Sequence, residues 1–122
     1  MAFPKKEHFS PEDQLISNYA RALCHPARVN ILKQLQTRGG MYVHEIEHSI
    51  PLSKGAVSDH LRMLREIQFV NVKCQGRHNY YSLNLSVLAE ADLTFNTMFS
   101  GLYGMSSGRK TLPGLVASLA RI

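Results

Sequence analysis

The chain has 122 residues, 44% of them hydrophobic, which is typical of one small globular domain rather than a disordered segment. Its 14 Lys and Arg against 9 Asp and Glu give a formal net charge of +5, which weakly favours a polyanionic partner. No apolar run approaches the roughly 20 residues that a membrane-spanning helix needs, and no signal peptide is visible. Two cysteines make no disulfide framework, so we expect a cytoplasmic protein without membrane association.

The N-terminal half of the chain predicts three helices. A capping serine followed by a proline and two acids marks the start of the first, which we expect over residues 11–24. A second proline opens a helix over residues 26–36, which a pair of glycines ends. A short third helix is expected over residues 43–49, before the turn at Pro51.

An amphipathic helix is predicted after this turn, beginning at Ser53, whose hydroxyl can cap the first turn. Val57, Leu61 and Leu64 repeat at i, i+4 and i+7 and form one buried stripe. The opposite face carries Lys54, Gly55, Ser58, Asp59, Arg62 and Arg65. Its small residues allow close backbone approach and its donors suit phosphates and base edges, although this face taken alone is more typical of an ordinary surface helix.

A β-hairpin with a basic tip is predicted directly after this helix. Val70, Val72 and Cys74 alternate with polar residues, Gly76 supplies the turn, and residues 80–83 form the return strand. The basic side chains around the tip are Lys73, Arg77 and His78. A generic hairpin also has a soluble tip, but a charged tip beside a small helix is the layout of a winged helix-turn-helix DNA reader.

The last predicted helix covers residues 85–103 and carries a wide apolar stripe rich in phenylalanine and methionine. One small domain can hardly cover this stripe together with that of the first helix. We expect a single domain over residues 11–104, preceded by a flexible basic arm over residues 1–10 and followed by a flexible tail over residues 105–122.

Three segments, in this order and spacing, resemble the ArsR/SmtB-type bacterial repressors. They are ALCHPARVNIL over 22–32, LSKGAVSDHL over 52–61 and GRHNYYSL over 76–83, and the resemblance covers about residues 12–104. It implies an α+β, mostly helical, winged helix-turn-helix with a two-stranded β-hairpin wing, dimerising through its first and last helices. The implied function is a sequence-specific transcriptional regulator, expected to be a repressor, that binds double-stranded operator DNA as a homodimer.

This resemblance and the residue chemistry together predict the contacting residues. DNA contacts are expected from Ser53, Lys54, Gly55, Ser58, Asp59, His60, Arg62, Arg77 and His78. Asp59 departs from the basic or amide residue often found there, and could accept from a cytosine amino group or pair with Arg62. His60 lies at the edge of the buried stripe, and His25 replaces the family's usual acidic cap. The dimer interface is expected to include Leu15, Tyr19, Phe95, Met98, Phe99 and Leu102, the alternative being a purely intramolecular core.

Residues 44–48, HEIEH, match the zincin pattern H-E-x-x-H literally. The segment is short, lacks an obvious third ligand and leaves little chain for a substrate cleft, so we expect no enzymatic activity and no cofactor. The metal-sensing sites of the resembled family are incomplete, because the third helix has no Cys-x-Cys pair and the last helix has no histidine. His44, Glu47 and His48 could still bind Zn²⁺, but solvated side chains are the favoured interpretation.

Cys24 and Cys74 are expected to be buried and inert, because the family's redox pairs use a cysteine on the last helix, which this chain lacks. Three alternatives stay open: a winged-helix module that binds a protein instead of DNA, a hydrolase built on the HEIEH segment, and a thiol- or metal-responsive sensor with a non-standard site. Salt dependence separates DNA binding from protein binding.

Overall fold

The structure is a computed structural model that describes residues 8–104, with five helices and three strands in that range. In chain order these are α1 (Pro11–Ala22), α2 (Pro26–Arg38), β1 (Met41–Tyr42), α3 (Val43–Ser49), α4 (Lys54–Glu66), β2 (Val70–Gln75), β3 (His78–Leu83) and α5 (Leu85–Leu102). Most of the expected N-terminal arm and the whole expected tail lie outside the described residues. Of the described helices, none is long and apolar enough to cross a membrane.

Serine caps begin α1 and α4, as the sequence predicts. Ser10 Oγ accepts a hydrogen bond from the Asp13 N–H at 3.1 Å, and Ser53 Oγ accepts one from the Ala56 N–H at 3.1 Å. Each bond satisfies one of the backbone donors that lack a helical partner at a helix start. The starts of both helices are therefore determined by residues within one turn.

Two predicted helix ends are displaced by two residues. The first helix ends at Ala22 rather than at residue 24. The second extends to Arg38 rather than residue 36, because Gly39 takes the left-handed conformation, with φ 79°, and caps the helix there. The Gly39 N–H donates to the Leu35 carbonyl at 2.9 Å, which satisfies one of the last free carbonyls of α2.

The predicted hairpin is present, and a third strand pairs with it. β2 and β3 pair antiparallel, with Val70 opposite Leu83. β1 pairs antiparallel with the other edge of β3, Met41 lying opposite Tyr81, so the strand order is β1-β3-β2. The sequence prediction of a two-stranded wing missed β1, because two residues are too few to show an alternating pattern.

The apolar stripe of α4 lies at the centre of the core. Val57, Leu61 and Leu64 are each at most 1% exposed. The other fully buried large side chains come from α2, β1, α3 and the α4–β2 connection, and they are Phe69, Ile31, Leu35, Met41 and Ile46. Because this stripe is completely covered, α4 can present only its opposite face to solvent.

Candidate nucleic-acid interface

The solvent face of α4 holds most of the residues that the sequence assigns to DNA contact. Exposed on it are Lys54, Gly55, Ser58, Asp59 and Arg62, with the capping Ser53 at its start. Open space surrounds the Gly55 Cα, since a Cβ added there would meet nothing within 4 Å. The N-terminal half of this face therefore combines hydrogen-bond donors with a place where a ligand can approach the backbone closely.

Asp59 and Arg62 form an ion pair on this face. Arg62 Nη2 lies 3.0 Å from Asp59 Oδ1, and both side chains are 69% exposed. The sequence left two roles open for Asp59, contact with a cytosine amino group or pairing with Arg62, and the structure shows the pairing. An exposed pair of this kind contributes little to stability, so Arg62 can exchange the carboxylate for a phosphate at small cost.

A short connection attaches the hairpin to the end of α4. The N–H of Phe69, which is 2% exposed, donates to the Leu64 carbonyl at 3.0 Å. The Phe69 carbonyl accepts from the Asn84 N–H, also at 3.0 Å, where β3 leads into α5. Both ends of the hairpin are thus fixed to one buried residue, which sets the direction of the wing relative to the exposed face of α4.

Exposed basic residues occupy the hairpin, as predicted: Lys73, Arg77 and His78. The turn between the strands uses Gly76 in the left-handed region, with φ 65°. Its Cα is surrounded by open space, so the tip can approach a large ligand without obstruction. Polyanion binding at this end of the molecule would use charges that have no ion-pair partner among the described residues.

An aromatic cluster that the sequence did not predict packs beside the tip half of the hairpin. Tyr42 stacks on His44 with ring centroids 5.7 Å apart, and its hydroxyl donates to Gln75 Oε1 at 2.8 Å. His44 also meets His78 edge-on at 5.9 Å, and Tyr80 contacts Tyr42 at 5.0 Å. The first histidine of the HEIEH segment therefore packs against the wing.

His60 does not share the exposed face of α4. It is half-buried, and its Nδ1 lies 3.0 Å from Nη1 of the buried Arg28 on α2. Burial lowers the pKa of His60 from its ordinary value, His25 and Arg28 add to this effect through their charges, and Asp59 opposes it. The sequence places His60 at the edge of the buried stripe of α4. In the structure its side chain faces the protein interior rather than the exposed face.

The residues predicted to form a dimer interface range from buried to exposed, with Phe95 and Met98 half-buried. Tyr19 is 4% exposed and lies within the protomer core, where its ring contacts Phe69 at 5.7 Å and Phe95 at 6.2 Å. Leu15, Phe99 and Leu102 are 38%, 51% and 73% exposed.

The HEIEH segment shows no metal-binding arrangement in the described structure. His44 and His48 are exposed and Glu47 is half-buried. Within residues 8–104, no group of three or more His, Cys, Asp or Glu side chains is placed to hold a metal ion.

Both cysteines are exposed, so the expectation of buried thiols was wrong. Cys24 lies in the α1–α2 connection, where its Sγ is 2.7 Å from Nη2 of Arg28. Cys74 lies near the wing tip, and its thiol donates to the Gly76 carbonyl at 3.4 Å. Alternation along β2 predicted that Cys74 shares a covered face, but the strand extends beyond the core at this point.

Comparison with known proteins agrees with this geometry. A family model described as bacterial regulatory protein, arsR family, matches residues 25–72. The transcriptional repressor SdpR of Bacillus subtilis (strain 168) is 32% identical over 76 residues, which are 62% of this chain and 83% of SdpR. The chain belongs to the arsR family of bacterial regulatory proteins.

Solved structures of other proteins share the fold. NolR from Sinorhizobium fredii matches with a TM-score of 0.58 at 25% identity, over 87% of this chain and 99% of NolR. An ArsR-like transcriptional regulator from Rhodococcus sp. RHA1 matches with a TM-score of 0.66 at 20% identity, over 76% of this chain and 87% of that protein. The family is one of transcriptional regulators rather than enzymes, and this chain is a DNA-binding transcriptional regulator, as the sequence predicts.

Proposed function

We propose that this arsR-family regulator is a repressor that binds double-stranded operator DNA as a homodimer, reading the major groove with α4. The observation that carries the proposal is the exposed polar face of a helix whose apolar stripe is fully buried, beside a hairpin with a basic tip. The relative SdpR is named a transcriptional repressor, which supports repression rather than activation by this chain.

Each part of the exposed face has a chemical role in this proposal. Ser53 and Lys54 begin α4, where free backbone N–H groups also favour a phosphate. Ser58 and Arg62 supply donors to base edges or phosphates, while Gly55 lets the helix approach the groove closely. Asp59 can accept from a cytosine amino group once Arg62 has left it for the DNA.

The wing supplies contacts to the adjacent DNA backbone. Arg77 and His78 at the tip are exposed, and Lys73 lies on β2 beside them. Tyr42 and His44 contact Gln75 and His78 next to the turn, which limits the conformational entropy that the wing loses on binding.

The apolar stripe of α5 supports association with a second copy of this chain. Ala91, Phe95 and Leu102 lie on one helical face, at spacings of four and seven residues. Along this face Ala91 is 3% exposed, Phe95 packs against Tyr19, and Leu102 is 73% exposed. The stripe thus begins in the protomer core and continues beyond it. A two-fold contact between two copies of α5 and α1 would cover the remainder.

Salt-dependent DNA binding tests the placement of the DNA face. An operator can be selected from a random duplex pool, and dissociation constants measured by fluorescence anisotropy at several salt concentrations. Arg62→Ala and Arg77→Ala should each weaken binding and reduce the salt slope by about one unit. Lys33→Ala, the same charge change at an exposed position on α2, is the control and should keep the wild-type slope. Wild-type binding by both arginine variants would show that the DNA face is misplaced. Selection of no duplex would favour the protein-interaction module.

Sedimentation tests the dimer separately. Replacing Phe99 and Leu102 with glutamate should produce a monomer at micromolar concentration, because an unpaired charge buried in an apolar contact is strongly unfavourable. Thr97→Glu, an exposed position on the other side of α5, is the matched control and should remain dimeric. A wild-type monomer under the same conditions would refute the proposed assembly.

A further inference from the structure

Arg28 is a buried charge that connects three elements of the fold. It is 9% exposed. Its Nη2 donates to the Arg21 carbonyl of α1 at 2.9 Å and lies 2.7 Å from Cys24 Sγ in the α1–α2 connection. Its Nη1 lies 3.0 Å from His60 Nδ1 on α4. The guanidinium therefore joins the end of α1 and the start of α2 to the proposed DNA-reading helix.

Among the described residues, no carboxylate pairs with the charge of Arg28. The ion pairs found among the described residues involve other arginines, and the Arg28 Nε is buried with no hydrogen-bond partner there. A buried charge held only by neutral acceptors is sensitive to any second positive charge nearby, because the protein interior screens charges less than water does.

Both histidines beside Arg28 accept hydrogen bonds through Nδ1. A guanidinium can only donate, so His60 Nδ1 must be the acceptor in its contact with Arg28. His25 Nδ1 accepts from the Ala27 N–H at 3.0 Å and caps α2. The two rings are 4.3 Å apart. The observed arrangement thus requires both imidazoles to be neutral, with their protons on Nε2.

We propose that Arg28 is a positioning residue for α4, and that its bond to His60 is a proton-sensitive latch that releases the DNA-reading helix when His60 is protonated. This inference rests on the proposed role of α4 in reading DNA. "Latch" denotes the contact of Arg28 Nη1 with His60 Nδ1 throughout.

Acidification acts on the latch in two ways. A proton on His60 Nδ1 turns an acceptor into a donor that faces another donor, and it places a second positive charge beside Arg28. The charged and titratable groups around His60 are Arg28 from α2, His25 just before α2 and Asp59 from α4, with Cys24 on the far side of Arg28. Asp59 alone favours the protonated form, and it is exposed and paired with Arg62.

The matched variant is His60→Asn. The asparagine Oδ1 branches from the same carbon as Nδ1, so it can accept from Arg28, and it cannot take up a proton. Operator affinity is measured by anisotropy at pH 7.5, 6.5 and 5.5 at constant ionic strength. A single proton changes affinity by at most about tenfold per pH unit. We therefore expect the wild type to lose about three- to tenfold relative to His60→Asn between pH 6.5 and 5.5. The control His48→Asn, an exposed histidine outside the cluster, should follow the wild type.

Parallel pH profiles of the wild type and His60→Asn would overturn the latch. Imidazole and amide NMR of the DNA-free protein gives a second readout that a purely structural role would not produce. The Nε2–H tautomer of His60 is expected at pH 7.5, and its protonation should coincide with shifts of the α4 amides. Titration of His60 without those shifts also overturns the proposal. Failure of the wild type to bind any selected duplex at pH 7.5 would instead refute the role of α4, while the NMR titration still tests the latch.

Discussion

Replacing Gly40 with alanine should destabilise the sheet that supports the wing. Gly40 has φ 152°, a conformation that side chains rarely adopt and that costs about 1–3 kcal/mol. An added Cβ would lie 2.7 Å from Tyr80 Cε2 and closer still to the Tyr80 hydroxyl. The Tyr80 ring packs edge-on against Tyr42 at 5.0 Å, so moving it aside requires a displaced rotamer, at about 0.5–1.5 kcal/mol. The expected loss in the free energy of unfolding is therefore about 2–4 kcal/mol.

Urea unfolding followed by circular dichroism measures this loss, with Gly39→Ala as the control. Gly39 has φ 79° and open space around it, so the control contains only the left-handed backbone cost of about 1–2 kcal/mol. Adding Tyr80→Ala to Gly40→Ala should cost less than the sum of the single losses, because the smaller side chain removes the collision. The steric reasoning is refuted if Gly40→Ala costs no more than Gly39→Ala, or if the two substitutions at 40 and 80 are additive.

Two further predictions concern α4. Ser53→Ala should lower the free energy of unfolding by about 1 kcal/mol through loss of the cap, whereas Ser58→Ala should change it little; equal losses would contradict the capping role. Burial, His25 and Arg28 hold the pKa of His60 below 6.5 in the folded protein, so the unfolded chain binds the proton more tightly. The free energy of unfolding should therefore fall as pH drops below 6.5, and His60→Asn should reduce that fall. If the free energies of unfolding of the wild type and the variant differed by the same amount at pH 7.5 and pH 5.5, this expectation would be contradicted.

The sequence predicts the elements of this protein because their signals are local. A cap such as Ser53 acts on a backbone N–H three residues away, and the stripe of Val57, Leu61 and Leu64 repeats within three turns of one helix. The hairpin is visible for the same reason, since Gly76 and the alternating residues before it are neighbours in the chain. The exposed face of α4 then follows as the side opposite the stripe, which is why most predicted DNA contacts are exposed as expected.

Only the tertiary structure shows which short segments pair as strands and which side chains are buried by other elements. β1 is recognisable only through its pairing with β3, and His60 turns inward because Arg28, 32 residues earlier, is placed beside it. Tyr19 was predicted at an interface, yet Phe69 and Phe95 enclose it within the protomer, while Cys74 is exposed because β2 extends past the core. Periodicity shows which residues share a face, but whether that face is buried, and by what, depends on contacts between residues far apart in the chain.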